Sequence, residues 1–186
     1  MTHELPAGSA ARSVGGALLA AALLAGCATV QRGELPASGD TFAGRLSVRV
    51  EENMAPVRSL TAGFELRGDP RNGRLDLSTP LGSVLAQARW SPTKVVLATP
   101  RGETEFADLD ALTREALGES LPVAALFDWL RGRPWPGAPS AASPGGAGFV
   151  QLGWTVDLTR FDEALVMARR DDPPPVTIVR IKLDRP

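Results

Sequence analysis

From Phe42 onward, apolar and polar residues take turns along the chain. Phe42, Gly44, Leu46, Val48 and Val50 alternate with Ala43, Arg45, Ser47, Arg49 and Glu51. A period of two with one wet face predicts a half-buried antiparallel strand. The pattern returns in Leu60, Ala62, Phe64 and Leu66, set against Thr61, Gly63, Glu65 and Arg67. Gly68-Asp69-Pro70-Arg71-Asn72-Gly73 is dense in turn residues. Leu75 and Leu77 then begin a short strand, and further strands are predicted over 83–90 and 94–99. In the middle of the chain the period changes. Asp108 is placed to cap a helix running to Leu117, with Leu109, Leu112 and Ala116 on one face and Gly118 as its stop. Pro122 suits the first turn of a second helix. There Val123, Leu126, Phe127 and Leu130 fall at i, i+3, i+4 and i+7, and Gly132-Arg133-Pro134 ends the run. Residues 136–148 (PGAPSAASPGGAG) are of low complexity and read as a mobile loop. Strands resume at Trp154, Val156 and Leu158, at 164–169, and from Val176 to Leu183. Strands, two short helices, then strands again predict an α+β domain with helices on one face of an antiparallel sheet.

The N-terminal segment has a different character. Residues 13–26 (SVGGALLAAALLAG) carry no charge and end in Leu24-Ala25-Gly26-Cys27. The run is short for a bilayer span, which needs roughly 20 apolar residues, and suits the core of a secretory signal. Small residues directly before a cysteine resemble a lipobox, in which the cysteine carries diacylglycerol and becomes the first residue after cleavage. The alternative is an ordinary signal with an incidental cysteine. Cys27 is the sole cysteine of the chain, and a lone thiol is a liability in an oxidising compartment, which lipidation removes. Ala28 follows; the absence of an Asp there points to the outer membrane by analogy with bacterial lipoproteins. The expected organisation is a signal over 1–26, a lipidated cysteine and flexible tether over 27–41, and a folded domain over 42–186.

Charge and composition narrow the function mainly by exclusion. There are 20 basic and 21 acidic residues, so neither a nucleic-acid footprint nor a polybasic membrane patch is expected. The one histidine, His3, lies in the signal, and there is no tyrosine. Ser-His-Asp and Cys-His catalysis are therefore unsupported, as are zinc sites. No glycine-rich phosphate loop is present, so no cofactor is expected. The carboxylate pairs Asp108/Asp110 and Asp171/Asp172 read as a helix start and a solvated loop.

Four segments in series carry a family resemblance: Gly44-Arg45-Leu46-Ser47-Val48-Arg49-Val50, Leu77-Ser78-Thr79-Pro80-Leu81-Gly82-Ser83, the stretch Leu121-Pro122-Val123-Ala124-Ala125-Leu126-Phe127-Asp128-Trp129-Leu130-Arg131-Gly132-Arg133-Pro134, and Arg180-Ile181-Lys182-Leu183. Together, behind the lipobox, they resemble the LolB family of outer-membrane lipoprotein receptors over nearly the whole chain after the signal. The resemblance implies an unclosed, curved antiparallel sheet, a half-barrel whose concave apolar face is covered by short helices. It also implies a non-enzymatic, monomeric protein in the inner leaflet of the outer membrane, facing the periplasm. Such a protein accepts lipoproteins from the periplasmic carrier LolA and inserts them into outer-membrane phospholipid without ATP. Energetics agree: an acyl chain of some 15 methylenes, at about 0.8 kcal/mol each, forgoes on the order of 10 kcal/mol in water and needs a shielded groove.

Leu81 at a turn tip is unusual, since turn tips favour polar residues. It either folds back into the core or protrudes. The resemblance implies that the leucine of the Pro80-Leu81-Gly82 loop protrudes and serves membrane insertion. Candidate cavity residues are Leu46, Val48, Phe64, Leu75, Trp90, Val123, Leu126, Phe127, Trp129, Leu130 and Trp154; the pattern alone leaves each open between wall and core. Two other readings are compatible with the sequence: a periplasm-facing lipoprotein of LolA-like fold for another lipid, and a structural assembly-factor lipoprotein without a cavity.

Overall fold

The computed structural model describes residues 39–184. The expected signal, Cys27 and most of the tether lie outside them. The first strand begins at Asp40, two residues ahead of the expected domain start.

Eleven strands form one antiparallel sheet. They are β1 (Asp40–Glu51), β2 (Arg58–Gly68), β3 (Gly73–Ser78), β4 (Val84–Ser91), β5 (Lys94–Thr99), β6 (Gly102–Phe106), β7 (Ser140–Ala142), β8 (Gly148–Gln151), β9 (Trp154–Asp157), β10 (Leu165–Arg170) and β11 (Val176–Leu183). In space they run β6-β5-β4-β3-β2-β1-β11-β10-β9-β8-β7. The first strand thus pairs with the last. β6 and β7 are the two edges and do not meet, so the sheet is curved but unclosed, as the family resemblance implied.

The alternation read from the sequence sets the faces. Val48 lies opposite Leu60 and Val179, and Leu46 opposite Ala62 and Ile181. Leu75 faces Ala88, and Trp90 faces Val95. Ala168 faces Val156 and Val179. These side chains share one face, because residues directly opposite on antiparallel strands point the same way. The other face is polar. Arg74–Asp76, Arg89–Glu103 and Lys94–Glu105 are ion pairs across or along it, each worth little at such exposure.

Two helices lie over the apolar face. α1 (Leu109–Leu117) starts where the Asp108 carboxylate accepts from the Ala111 amide at 2.7 Å, and stops at Gly118 with φ 78°. α2 (Val123–Trp129) is sunk deeper than the expected stripe. Besides Val123 and Phe127, Ala125, Asp128 and Trp129 are buried, while Leu126 is only half-buried. Phe127 sits edge-on to Phe42 and Trp90, with centroids 6.4 and 6.2 Å away. Trp129 packs on Phe149 and Trp154, each at 6.3 Å. Such aromatic pairs add to the burial energy of the rings.

The low-complexity stretch 136–148 differs from expectation. Ser140–Ala142 adds an edge strand, antiparallel to β8, and the segment before it is pinned by a buried hub. Gln151, 1% exposed, accepts at Oε1 from Trp129 Nε1 (2.8 Å) and the Trp135 amide (2.9 Å). Its Nε2 donates to the carbonyls of Trp135 (2.7 Å) and Ala138 (2.8 Å). Strands β6, β7 and β8 carry no strong alternation in the sequence and are held by pairing. At the far side of the helices, Arg170 pairs with Glu119 at 2.5 Å and lies 5.3 Å from the Trp154 ring.

Candidate functional site

The helices do not fill the concave face. The aromatic end of α2 packs one part of it solidly. Beside that part, between α1, the start of α2 and strands β1–β5 and β11, is a cavity of about 370 Å³, within the size range of small-molecule sites. Its wall is made of aliphatic side chains apart from two threonines, Thr99 and Thr113. Both hydroxyls are occupied within the protein. Thr113 Oγ1 donates to the Asp110 carbonyl at 3.3 Å and accepts from the Leu121 amide at 3.0 Å. Thr99 Oγ1 donates to the Gly102 carbonyl at 3.3 Å and accepts from the Arg101 amide at 3.2 Å. The wall therefore offers apolar surface and no free hydrogen-bonding side chain. A polar occupant would lose its hydration without replacement, whereas a hydrocarbon loses none.

The cavity is not sealed. Ala116 is in its wall yet exposed at the C-terminal end of α1. A smaller recess of about 140 Å³ next to it shares Val48, Leu60, Ala116 and Leu117 and is rimmed by Arg58, Ser59 and Glu115. One approach to the cavity thus lies at the exposed Ala116, beside this recess and between α1 and the start of β2.

Of the residues singled out from the sequence, Leu46, Val48, Leu75, Val123 and Leu126 line this cavity. Phe64, Trp90, Phe127, Trp129, Leu130 and Trp154 are buried in the core cluster and do not border it. The rings, with Leu130 packed among them, close off one part of the concave face, and the remaining aliphatics leave the other part open. The sequence reading missed Leu77, Leu97, Leu112, Leu121 and Ile181, all wall residues on expected elements. Their periodicity was visible, but the curvature that turns them toward one space was not. Leu85 lies in the strand expected over 83–90 but out of phase with the wall residues Ala86 and Ala88. The register between β3 and β4 shifts after Leu77, so that Ala86 faces Leu77 and Val84 faces Ser78. Leu85 is skipped, and this bulge brings it to the wall.

Above the β3 and β4 ends of this wall, residues 79–83 make a tight hairpin. The Gly82 amide donates to the Thr79 carbonyl at 2.9 Å, and the Thr79 amide to the Ser83 carbonyl at 2.8 Å. Gly82 takes φ 84°, the left-handed position of a three-residue hairpin loop. The turn leaves Leu81 95% exposed, so of the two fates open to it in the sequence it protrudes.

Among the described residues no group of carboxylates, His or Cys is arranged to hold a metal, and no helix is long and apolar enough to cross a membrane.

Comparison with known proteins agrees with this geometry. Residues 41–184 match the family model described as outer membrane lipoprotein LolB. The chain is similar to the outer-membrane lipoprotein LolB of Bordetella petrii, 35% identical over 176 residues covering 89% of this chain and 88% of the relative. It is also similar to those of Bordetella pertussis, 36% identical with the same coverages, and Cupriavidus pinatubonensis, 34% identical over 88% of this chain and 82% of the relative. With a family match spanning the described sheet and helices, and relatives above a third identical along most of their length, the chain belongs to the LolB family of outer-membrane lipoproteins.

Proposed function

We propose that this protein is the outer-membrane receptor of lipoprotein sorting and not an enzyme. It takes lipoproteins from the periplasmic carrier LolA, shelters their acyl chains in the cavity between α1 and the sheet, and releases them into outer-membrane phospholipid. The protein itself is held in the inner leaflet by lipid on Cys27 and faces the periplasm. The observation that carries this reading is the aliphatic cavity whose two wall hydroxyls are both engaged internally. It suits a hydrocarbon chain and speaks against a purely structural lipoprotein. Transfer needs no nucleotide if each station binds acyl chains more tightly than the one before.

Leu81 is the release element in this scheme. Fully burying a leucine gains roughly 1.5–3 kcal/mol, enough for brief contact with acyl chains and too little to anchor a protein. Leu81→Glu adds the cost of placing a carboxylate among acyl chains, a few kcal/mol. Because the side chain is 95% exposed, the variant melts like wild type and still accepts cargo from loaded LolA, followed by crosslinking. Its delivery of cargo to liposomes is lost. Cargo that never leaves LolA in the wild-type reaction refutes the proposed function, and normal delivery by Leu81→Glu refutes the role of the hairpin.

A further inference from the structure

Among the described residues five large apolar side chains are exposed: Met54, Val57, Leu81, Val84 and Leu152. Met54, Val57, Leu81 and Leu152 lie in three separate connections, β1–β2, β3–β4 and β8–β9, and Val84 is the first residue of β4, directly after the second of them. In an antiparallel sheet of this order all three connections lie at one end of the strands. The turns at the other end, around Asp69–Asn72, Thr93 and Arg160–Glu163, contain none of the five. The asymmetry is one of position, since each connection alone would pass as an ordinary loop.

The β1–β2 hairpin is the most prominent of the three. Gly63 already faces Ser78, the last residue of β3, so β2 continues past the β3–β4 turn by the stretch Arg58–Ala62. At the tip the Ala55 amide donates to the Glu52 carbonyl at 3.3 Å. Met54 takes φ 64° and is fully solvent-exposed. A left-handed methionine with its whole side chain in water is unfavourable on both counts. The two glutamates beside the tip are paired. Glu51 pairs with Arg49 at 2.5 Å and Glu52 with Arg58 at 3.7 Å, so the carboxylates nearest the tip do not oppose approach to a phospholipid surface. Arg58 and Ser59, which follow the hairpin, also line the small recess next to the apolar cavity.

We infer that the β1–β2 hairpin, through Met54 and Val57, is a membrane-contacting element that seats in a phospholipid bilayer beside the cavity mouth. The contact turns the recess at Arg58 and Ser59, which adjoins the cavity at Ala116, toward the lipid into which the cavity discharges. Leu81 then marks a second touching point on the same end of the sheet. This inference rests on the proposed function for its membrane partner, but it concerns a different hairpin.

The test uses the full lipidated chain in phosphatidylethanolamine–phosphatidylglycerol vesicles whose acyl chains carry nitroxide. Cys27 is the only native cysteine and is consumed by lipidation, so Met54→Cys, Leu81→Cys and Arg71→Cys each take one environment-sensitive fluorophore. Arg71, exposed in the β2–β3 turn, reports the opposite end. The expected result is a blue shift and loss of emission at position 54 with neither at 71. Emission at 54 that matches 71, whether both are quenched or both are not, overturns the inference. Within that failure, quenching at 81 leaves the proposed function standing, whereas no quenching at 81 removes its membrane step as well. A second variant without a fluorophore, Met54→Asp, should melt as wild type and weaken quenching of a probe at 81. Unchanged quenching there also counts against the hairpin.

Discussion

Ala86→Trp separates an open cavity from a collapsed one. Ala86 is half-buried on β4, faces Leu77 across the strand pair, and lies in the cavity wall. An indole at this position extends into about 370 Å³ of apolar space. If the space is empty, the new ring gains contacts, and cavity filling of this kind changes stability by about +0.5–2 kcal/mol. The same ring displaces acyl chain. Excluding three methylenes at about 0.8 kcal/mol each costs about 2.4 kcal/mol, which at 1.4 kcal/mol per decade is about a 50-fold loss of affinity. Ala168→Trp is the contrast. Ala168 is 3% exposed, packed against Val156 and Val179, and absent from the cavity wall. Overpacking there costs about 1–3 kcal/mol, and the folded fraction keeps its acyl affinity. Urea unfolding followed by circular dichroism gives the stabilities, and titration with a fluorescent acyl probe gives the affinities. The reasoning is refuted if Ala86→Trp binds the probe like wild type, or if it destabilises the domain as much as Ala168→Trp does.

Three further outcomes follow from the geometry. Gln151→Leu strands the Trp129 indole N–H and the backbone groups of Trp135 and Ala138; with an unmet buried group costing about 1–3 kcal/mol, urea unfolding should show a loss of at least about 3 kcal/mol. The Asp157 carboxyl is held below its ordinary value of 3.8, first by the Thr159 hydroxyl and then by the Thr159 amide. A depressed carboxylate stabilises the fold above the unfolded value and loses that contribution as pH falls through the folded one; Thr159→Val should move the Asp157 titration upward by NMR and shrink this acid-side loss. Finally, the chain enters β1 at Asp40, at the end of the sheet opposite Met54 and Leu81. The residues between Cys27 and Asp40 can span at most about 40 Å, close to the length of β1 at about 3.3 Å per residue. Halving that stretch should preserve acceptance of cargo from LolA and reduce delivery to the membrane holding the anchor; unchanged delivery would show that anchor and tips need not share one surface.

Much of this protein is written in local pattern. The period-two alternation of Leu46 with Val48, and of Leu75 with Leu77, determined which side chains of one strand share a face, because strand geometry forces it whatever the neighbours are. Asp108 and Gly118 marked the ends of α1 because helix termini need partners for their free backbone groups. The lone Cys27 behind a short apolar run required no coordinates either.

Tertiary structure decided what lies between those elements. Curvature and the pairing of β1 with β11 are long-range, so no window of the sequence separates wall from core: Leu46 and Phe64 alternate alike, yet one borders the cavity and the other is packed away. The bulge that presents Leu85 depends on how β3 meets β4. The strand at Ser140–Ala142, in a stretch of Pro, Gly and Ala, is held by pairing with β8, whose Gln151 also satisfies the backbone before it. That Met54, Leu81 and Leu152 project from one end is a property of the antiparallel order alone, since residues far apart in the chain become neighbours only when the strands between them have been laid side by side.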